Sequence, residues 1–143
     1  MEYRKLTSSF FVSSQIKTTD LKTLKNLGFT DIICNRPSYE SLDDEKPSLI
    51  RKAASQNSIN FHDNPFPGSH LSLECISQQK VSGNKILAYC TSGTRSAILW
   101  AFSVAGEMTN ESILQSLFDA GFPMPHLADQ IRAFAITNTT KKG

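Results

Sequence analysis

The sequence predicts an α/β fold, a mostly parallel central sheet of about four to five strands with helices on its faces. Three observations predict it. Short apolar runs at 10–12 (FFV), 32–34 (IIC) and 86–89 (ILAY) are separated by segments whose apolar residues recur at helical spacing. Glycine, proline and small polar residues stand at the junctions. The last apolar run leads through a glycine-containing turn, CTSGTRS at 90–96, into an apolar helix. A chain of 143 residues fits one domain, 1–143, and buries roughly 68–70% of its unfolded surface, enough for a core without disulfide or metal.

In chain order, residues 4–14 hold a weak strand pattern around Phe10, Phe11 and Val12, placed at a sheet edge. Thr18 or Thr19 caps a helix carrying Leu21, Leu24 and Leu27 on one face, with Gly28 as its stop. Asp31 to Cys34 reads as a buried strand ended by Asn35-Arg36-Pro37. Ser38 to Lys46 is a polar, acidic surface loop, and Pro47 opens a helix with Leu49, Ile50, Ala53 and Ala54 inward. A strand follows at Ile59 to His62 and is broken by Pro65, Pro67 and Gly68.

Ser72 caps a helix to about Val81 that buries Leu73 and Ile76, and Ser82-Gly83-Asn84 ends it. Lys85 to Tyr89 is the strand that delivers Cys90. The helix after Arg95 is apolar all round, which predicts a central, buried element with Trp100 and Phe102 in the core. Thr109 caps a helix with Ile113, Leu114, Leu117 and Phe118 on one stripe, ended by Gly121 and Pro123; a last helix near Leu127 to Ile136 precedes a polar tail from about 138.

Composition excludes several classes of function. Net charge is +2 and the basic residues are scattered apart from Lys141-Lys142, so no nucleic-acid face is expected. No apolar stretch approaches the ~20 residues that span a bilayer, and the expectation is a soluble, cytoplasmic protein without a membrane partner. The three cysteines, 34, 75 and 90, form no CxxC pair, which fits reduced thiols. Cys75 reads as packing, His62 and His126 lack partners at ligand spacing, and neither a metal nor a cofactor is expected. Oligomeric state is not legible.

The stretch 85–106 carries the chemistry. A cysteine at the end of a strand and before a helix N-terminus lies where free backbone N–H groups and the positive end of the helix converge. Such a loop binds anions and favours thiolate over thiol. Cys90 is therefore the candidate nucleophile, with Thr91, Ser92, Gly93, Thr94 and Arg95 as the anion-binding loop. Arg95 supplies a planar two-pronged donor. Gly93 permits positive φ or a close backbone approach. Ser96 serves as a helix cap, as a hydroxyl that stabilises the departing thiolate, or as both. Arg36 ends another strand on the same rim, as a substrate contact or as a salt-bridge partner of Glu40. Cys34 ends there too; it reads as core and as a redox partner able to form a protective disulfide with Cys90.

With SSQI near residue 13, DLKTLKNLGFTDIICNRP, Glu40, the Pro-Ser pair at 47–48, Pro65, Gly68 and ILAYCTSGTRSAILWAF in view, the chain resembles the beta-lactamase-hydrolase-like, phosphatase-like family. These are small bacterial relatives of the dual-specificity protein tyrosine phosphatases. The resemblance implies their fold, a central parallel sheet with the nucleophile loop before a buried helix. It also implies a cysteine-dependent hydrolase of a phosphomonoester, working through phosphocysteine on Cys90.

Two departures open an alternative. The wider phosphatase superfamily usually places five residues between cysteine and arginine, after a histidine; here there are four, after Tyr89. That loop resembles the CxxGxRS of single-domain rhodaneses, sulfurtransferases that carry a persulfide. The superfamily also supplies an aspartate as general acid; in the corresponding segment here, FHDNPFPGSHLS, no aspartate follows Pro65, and Asp63, which precedes it, and His70 are the candidates. The expected partner is thus a small anionic substrate, phosphorylated or persulfide-bearing. A non-catalytic anion-binding module is the remaining alternative.

Overall fold

A computed structural model describes residues 2–142; the side chains of the tail from 138, including Lys141 and Lys142, lie outside the described residues. The elements are β1 (Tyr3–Lys5), β2 (Phe10–Ser13), α1 (Asp20–Asn26), β3 (Asp31–Cys34), α2 (Pro47–Gln56), β4 (Asn60–Asp63), α3 (Leu73–Gln78), β5 (Ile86–Tyr89), α4 (Thr94–Ser103), α5 (Asn110–Asp119) and α6 (Ala128–Lys142). Three single 3-10 turns, Ser38–Glu40, Asp43–Glu45 and Pro125–Leu127, complete the chain. The strands form one five-stranded sheet in the order β1-β2-β5-β3-β4, parallel except for the antiparallel β1.

Strand alternation divides the core in two. Phe10, Val12, Ile33, Ile86 and Ala88 face α3 to α6, while Phe11, Ile32, Cys34, Leu87 and Tyr89 face α1 and α2. Strands covered on both faces must be apolar throughout, as β2, β3 and β5 nearly are. The edge strand β4 is half open to solvent and carries Asn60, His62 and Asp63. The apolar α4 lies inside the first layer, with Leu99 and Ala101 fully buried and Trp100 1% exposed. Truncating such a side chain costs roughly 2–5 kcal/mol. The loop that carries Cys90 therefore hangs between two buried elements, β5 and α4.

Several expectations are corrected. FFV is not at the edge: residues 4–14 fold back as a hairpin closed by Leu6 and Thr7 amides on Phe10 O, so β1 takes the edge and β2 the interior. Both faces of FFV are apolar, which an edge position would waste. The helix from Ser72 ends at Gln78 rather than near Val81, because Gln79 turns inward to pair with other amides. Leu73 is 60% exposed, Leu49 40% and Phe118 64%, so each stripe is narrower than its helical period suggests. Helix α6 continues through Lys142 where a frayed tail is expected.

The caps at Ser72 and Thr109 form as expected, accepting from Cys75 N and Ser112 N. Thr19 precedes α1 but makes no side-chain cap; instead Asp20 accepts the Lys17 amide. Among the described residues no helix is long and apolar enough to cross a membrane.

Candidate active site

Strand β5 is the middle of the five, and its C-terminal end presents Cys90 between the ends of β2 and β3. Cys90 N lies 3.4 Å from Ser13 O and Asn35 N 2.8 Å from Tyr89 O, so both neighbouring strands hold the strand end in place. The loop then turns at Gly93, the N-cap of α4, with φ of 96°. A Cβ there would stand 3.1 Å from Phe122 Cζ and 3.4 Å from Ser13 O. Both readings of this glycine hold: left-handed backbone and close approach.

That turn aims the Gly93 N–H at the Cys90 sulfur, at 3.1 Å. A backbone amide at the first turn of a ten-residue helix is a fixed partial positive charge, and a thiolate satisfies it better than a thiol. Cys90 is wholly buried, whereas Thr91, Ser92 and Thr94 stand exposed around it. Ser92 Oγ bridges to Thr94 Oγ1 at 3.1 Å and tightens the tip.

Arg95 leans across the loop. Nη1 donates to Glu40 Oε2 and to Phe66 O, both at 3.0 Å; Nη2 donates to Glu40 Oε1 at 2.8 Å and to Thr91 Oγ1 at 3.0 Å. These bonds occupy the four terminal N–H hydrogens and leave Nε–H as the remaining donor. Arg95 is also close enough to Cys90 for a thiolate there to favour its charge. Gly68, at φ +94°, rests against Arg95: a Cβ would lie 3.4 Å from Arg95 Cδ.

Glu40 is itself held. Arg36 donates through Nη2 to Glu40 O at 2.7 Å and through Nη1 to Gln15 Oε1 at 3.0 Å and Glu45 Oε2 at 3.4 Å. Of the two readings of Arg36, the geometry is the salt-bridged one, and it extends beyond Glu40. With its side chain only 13% exposed, Arg36 shapes the loop after β3 rather than the rim. The guanidinium of Arg95 holds the Glu40 carboxyl below the usual carboxylate range.

Ser96 is not a cap. It lies in the first turn of α4, fully buried, and its Oγ donates to Asn35 Oδ1 at 2.8 Å. Asp63 closes β4 in register with Cys34, on the α1 and α2 face of the sheet, with Arg51 as its nearby opposite charge. Burial raises its carboxyl pKa. His70 is exposed, on the segment that rests on Arg95 through Phe66 and Gly68. Cys34 donates to Arg36 O at 3.4 Å, and burial pushes its thiol up to about 11. It is close enough to Cys90 for the two charges to interact. Tyr89 Oη is buried beside Cys34 and Gln15 without a well-formed hydrogen bond.

Residues not singled out from sequence complete the site: Asn35, Asn64 and Gln79 as a buried amide cluster and Phe122 against Gly93. Of these only Asn35 carried a local signal, its place at a strand end beside Arg36. Glu40, read from sequence as a partner of Arg36, is the partner of Arg95 as well.

The Cys90 loop between the central strand of a mostly parallel sheet and a buried helix gives the chain a phosphatase-like α/β fold. The chain belongs to the family described as beta-lactamase hydrolase-like protein, phosphatase-like domain, whose model matches residues 2–107. A candidate phosphatase of Neisseria meningitidis Z2491 is similar at 25% identity and TM-score 0.76 over 92% of this chain and 96% of that one. PTPMT1 in complex with PI(5)P superposes at TM-score 0.78 with 11% identity over 99% of both chains. The core catalytic domain of a PP-IP phosphatase from S. cerevisiae, bound to citrate, gives TM-score 0.62 at 14% identity over 96% of this chain and 92% of that one. The last two likenesses concern fold alone. No curated protein matches the chain by sequence.

Proposed function

We propose that this protein is a cysteine-dependent phosphatase that hydrolyses a phosphomonoester through a phosphocysteine on Cys90. The observation that carries the reading is the Gly93 N–H on Cys90 Sγ at the start of α4. Cys90 thiolate attacks phosphorus, and the bond to the leaving oxygen breaks. The loop amides and Arg95 hold the remaining oxygens. For Arg95 to grip in two places, Nη2 exchanges Thr91 Oγ1 for a phosphate oxygen while Glu40 keeps the guanidinium in plane. Water then attacks phosphorus, the P–S bond breaks, and inorganic phosphate leaves with the thiolate restored.

A group must protonate the leaving oxygen and later take a proton from water. His70 has the better placement of the two candidates, because its segment rests on Arg95, whereas Asp63 shares the face of Cys34. The family and the fold of its neighbours support a phosphatase; the single domain 1–143 and a phosphorylated small molecule as substrate belong to the same proposal.

One observation favours a second reading: only four residues separate Cys90 from Arg95. A sulfurtransferase would use Cys90 to take sulfane sulfur from thiosulfate, releasing sulfite, and pass it from the persulfide to an acceptor thiol. A paired assay tests both, with Cys90→Ser as control. Turnover of an aryl phosphate that disappears in the variant supports the first; no such turnover, with a Cys90 persulfide in the intact mass after thiosulfate, replaces it by the second.

A further inference from the structure

The Cys90 loop has two flanks, and the protein fills one of them. On the side of β3 and β4 the Arg95 guanidinium is committed to Glu40, Phe66 O and Thr91, with Gly68 against its stem. On the β2 side, past Ser92, a cavity of about 190 Å³ remains. It is lined by Ser92 of the loop, Ser13 and Ser14 where β2 ends, Gly121 and Phe122 after α5, and Arg4 of β1. Ser92 is thus at once a residue of the loop and a wall of the cavity.

The fold itself brings Arg4 there. Arg4 pairs with Val12 across β1 and β2, and directly paired residues share a face, so its side chain lies on the face that carries α4 and α5. The turn after α5 closes the other wall. Phe122 stands against Gly93, and Gly121, at φ of 90°, presents bare backbone to Arg4, a Cβ there lying 3.7 Å from Nη1. Two neighbouring residues therefore support the loop and bound the cavity beside it.

The charge of Arg4 has little other use. Among the described residues its guanidinium makes no hydrogen bond, and its ion partner Glu2 stands 3.9 Å away, the two side chains 54% and 84% exposed. Such an exposed pair contributes little to stability. Nor does the end of α5 need Arg4 as a cap, since Ser116 O, Leu117 O and Phe118 O accept from the amides of Ala120, Phe122 and Gly121. A planar set of N–H donors is left available to an oxyanion.

We propose that the cavity at Arg4 is a second anion subsite, which takes a phosphate, phosphonate or carboxylate carried by the same substrate whose phosphate reacts at Cys90. The proposal rests on the phosphatase reading above and narrows it: the favoured substrate is a small phosphomonoester with a second anionic group, lying across Ser92. Arg4 is then a specificity residue, remote from the reacting atoms. It holds the second group alike before and during the reaction, so its effect falls on KM rather than on kcat.

The test uses the full chain and aryl phosphates that carry, on alkyl arms of graded length, either a phosphonate or a neutral amide; in each compound only the phosphate ester can be hydrolysed. At the best arm length the wild type is expected to favour the phosphonate about tenfold in kcat/KM, the scale of one charge-assisted hydrogen bond. Arg4→Gln is expected to abolish that preference, and Arg4→Lys, which keeps the charge without the fork, to retain part of it. The preference is a ratio taken within each variant, so a general loss of folding or activity does not move it. No preference in the wild type at any arm length, or one that survives in Arg4→Gln, overturns the proposal and leaves the phosphatase reading intact. Stimulation of the amide compounds by free methylphosphonate, lost in Arg4→Gln, would assign the cavity to a separate anion and overturn it as well. A wild type that turns over no aryl phosphate at all overturns the phosphatase reading, and the proposal with it.

Discussion

Glu40 meets Arg95 end-on, Oε2 to Nη1 at 3.0 Å and Oε1 to Nη2 at 2.8 Å, across 55 residues of sequence. The pair is bidentate and part-buried, so it fixes the plane of the guanidinium as well as its place. Arg36 fixes Glu40 in turn through the Glu40 carbonyl. A chain of ion pairs thus runs from the end of β3 to the loop at Cys90.

Glu40→Gln removes the charge and keeps the shape. Losing charged hydrogen bonds of this kind costs roughly 1.5–3 kcal/mol, and kcat/KM for an aryl phosphate should fall about ten- to hundred-fold. Steady-state kinetics check it; an unchanged kcat/KM would remove Glu40 from the positioning of Arg95. The pH dependence of stability follows with its sign. The Glu40 carboxyl is depressed by Arg95, so its contribution is complete above the ordinary value of 4.5 and is lost as pH falls through the lower folded value. Acid titrations of unfolding should show this loss in the wild type and not in Glu40→Gln.

Gly93→Ala places a side chain at φ of 96° and 3.1 Å from Phe122 Cζ. Strain of this kind costs on the order of 1–3 kcal/mol. The urea midpoint should drop, and Cys90 should alkylate more slowly at neutral pH as the Gly93 amide swings from the sulfur. A variant with native alkylation kinetics would show that the amide contact is incidental.

His70→Asn should lower kcat at least about tenfold toward substrates with poor leaving groups and leave aryl phosphates with good ones nearly unaffected. Asp63→Asn should do neither. The reverse pattern would move the proton donor to the other face of the sheet.

Oxidation should join Cys34 to Cys90. Cys90 thiolate attacks peroxide, giving sulfenic acid and hydroxide; Cys34 thiolate then attacks that sulfur and displaces hydroxide, forming the disulfide. The Cys34 thiol is pushed up to about 11, so its thiolate fraction rises about tenfold per pH unit below that value. Crosslinking after a peroxide pulse should therefore run much faster at pH ~9 than at pH ~7. A non-reducing peptide map without the 34–90 crosslink at either pH would limit Cys34 to a packing role.

Much of the site is legible in the chain because it is local. Strand, cysteine, glycine and helix follow one another within residues 86–103, and the left-handed turn at Gly93 follows from glycine alone among the loop residues. The alternation of apolar strands and amphipathic helices is local in the same way. Where the reading departed from the structure, the missing term was a partner distant in sequence. FFV has two apolar faces, yet only the pairing of β2 with β5 shows it to be interior. Leu73 and Phe118 fit helical stripes, yet they stay 60% and 64% exposed.

By itself, then, the sequence determined the α/β class, the strand–turn–helix setting of Cys90 and Arg95, and the family, since each is written in local residue patterns and backbone preferences. Only the tertiary structure decided what those residues are tied to: Glu40 and Phe66 O on Arg95, Arg36 in the loop behind it, and Asn35 on Ser96. Hydrogen bonds have direction and reach of about 3 Å, so their partners are set by how β3, β4 and α3 converge on the end of β5. No spacing along the chain encodes that convergence.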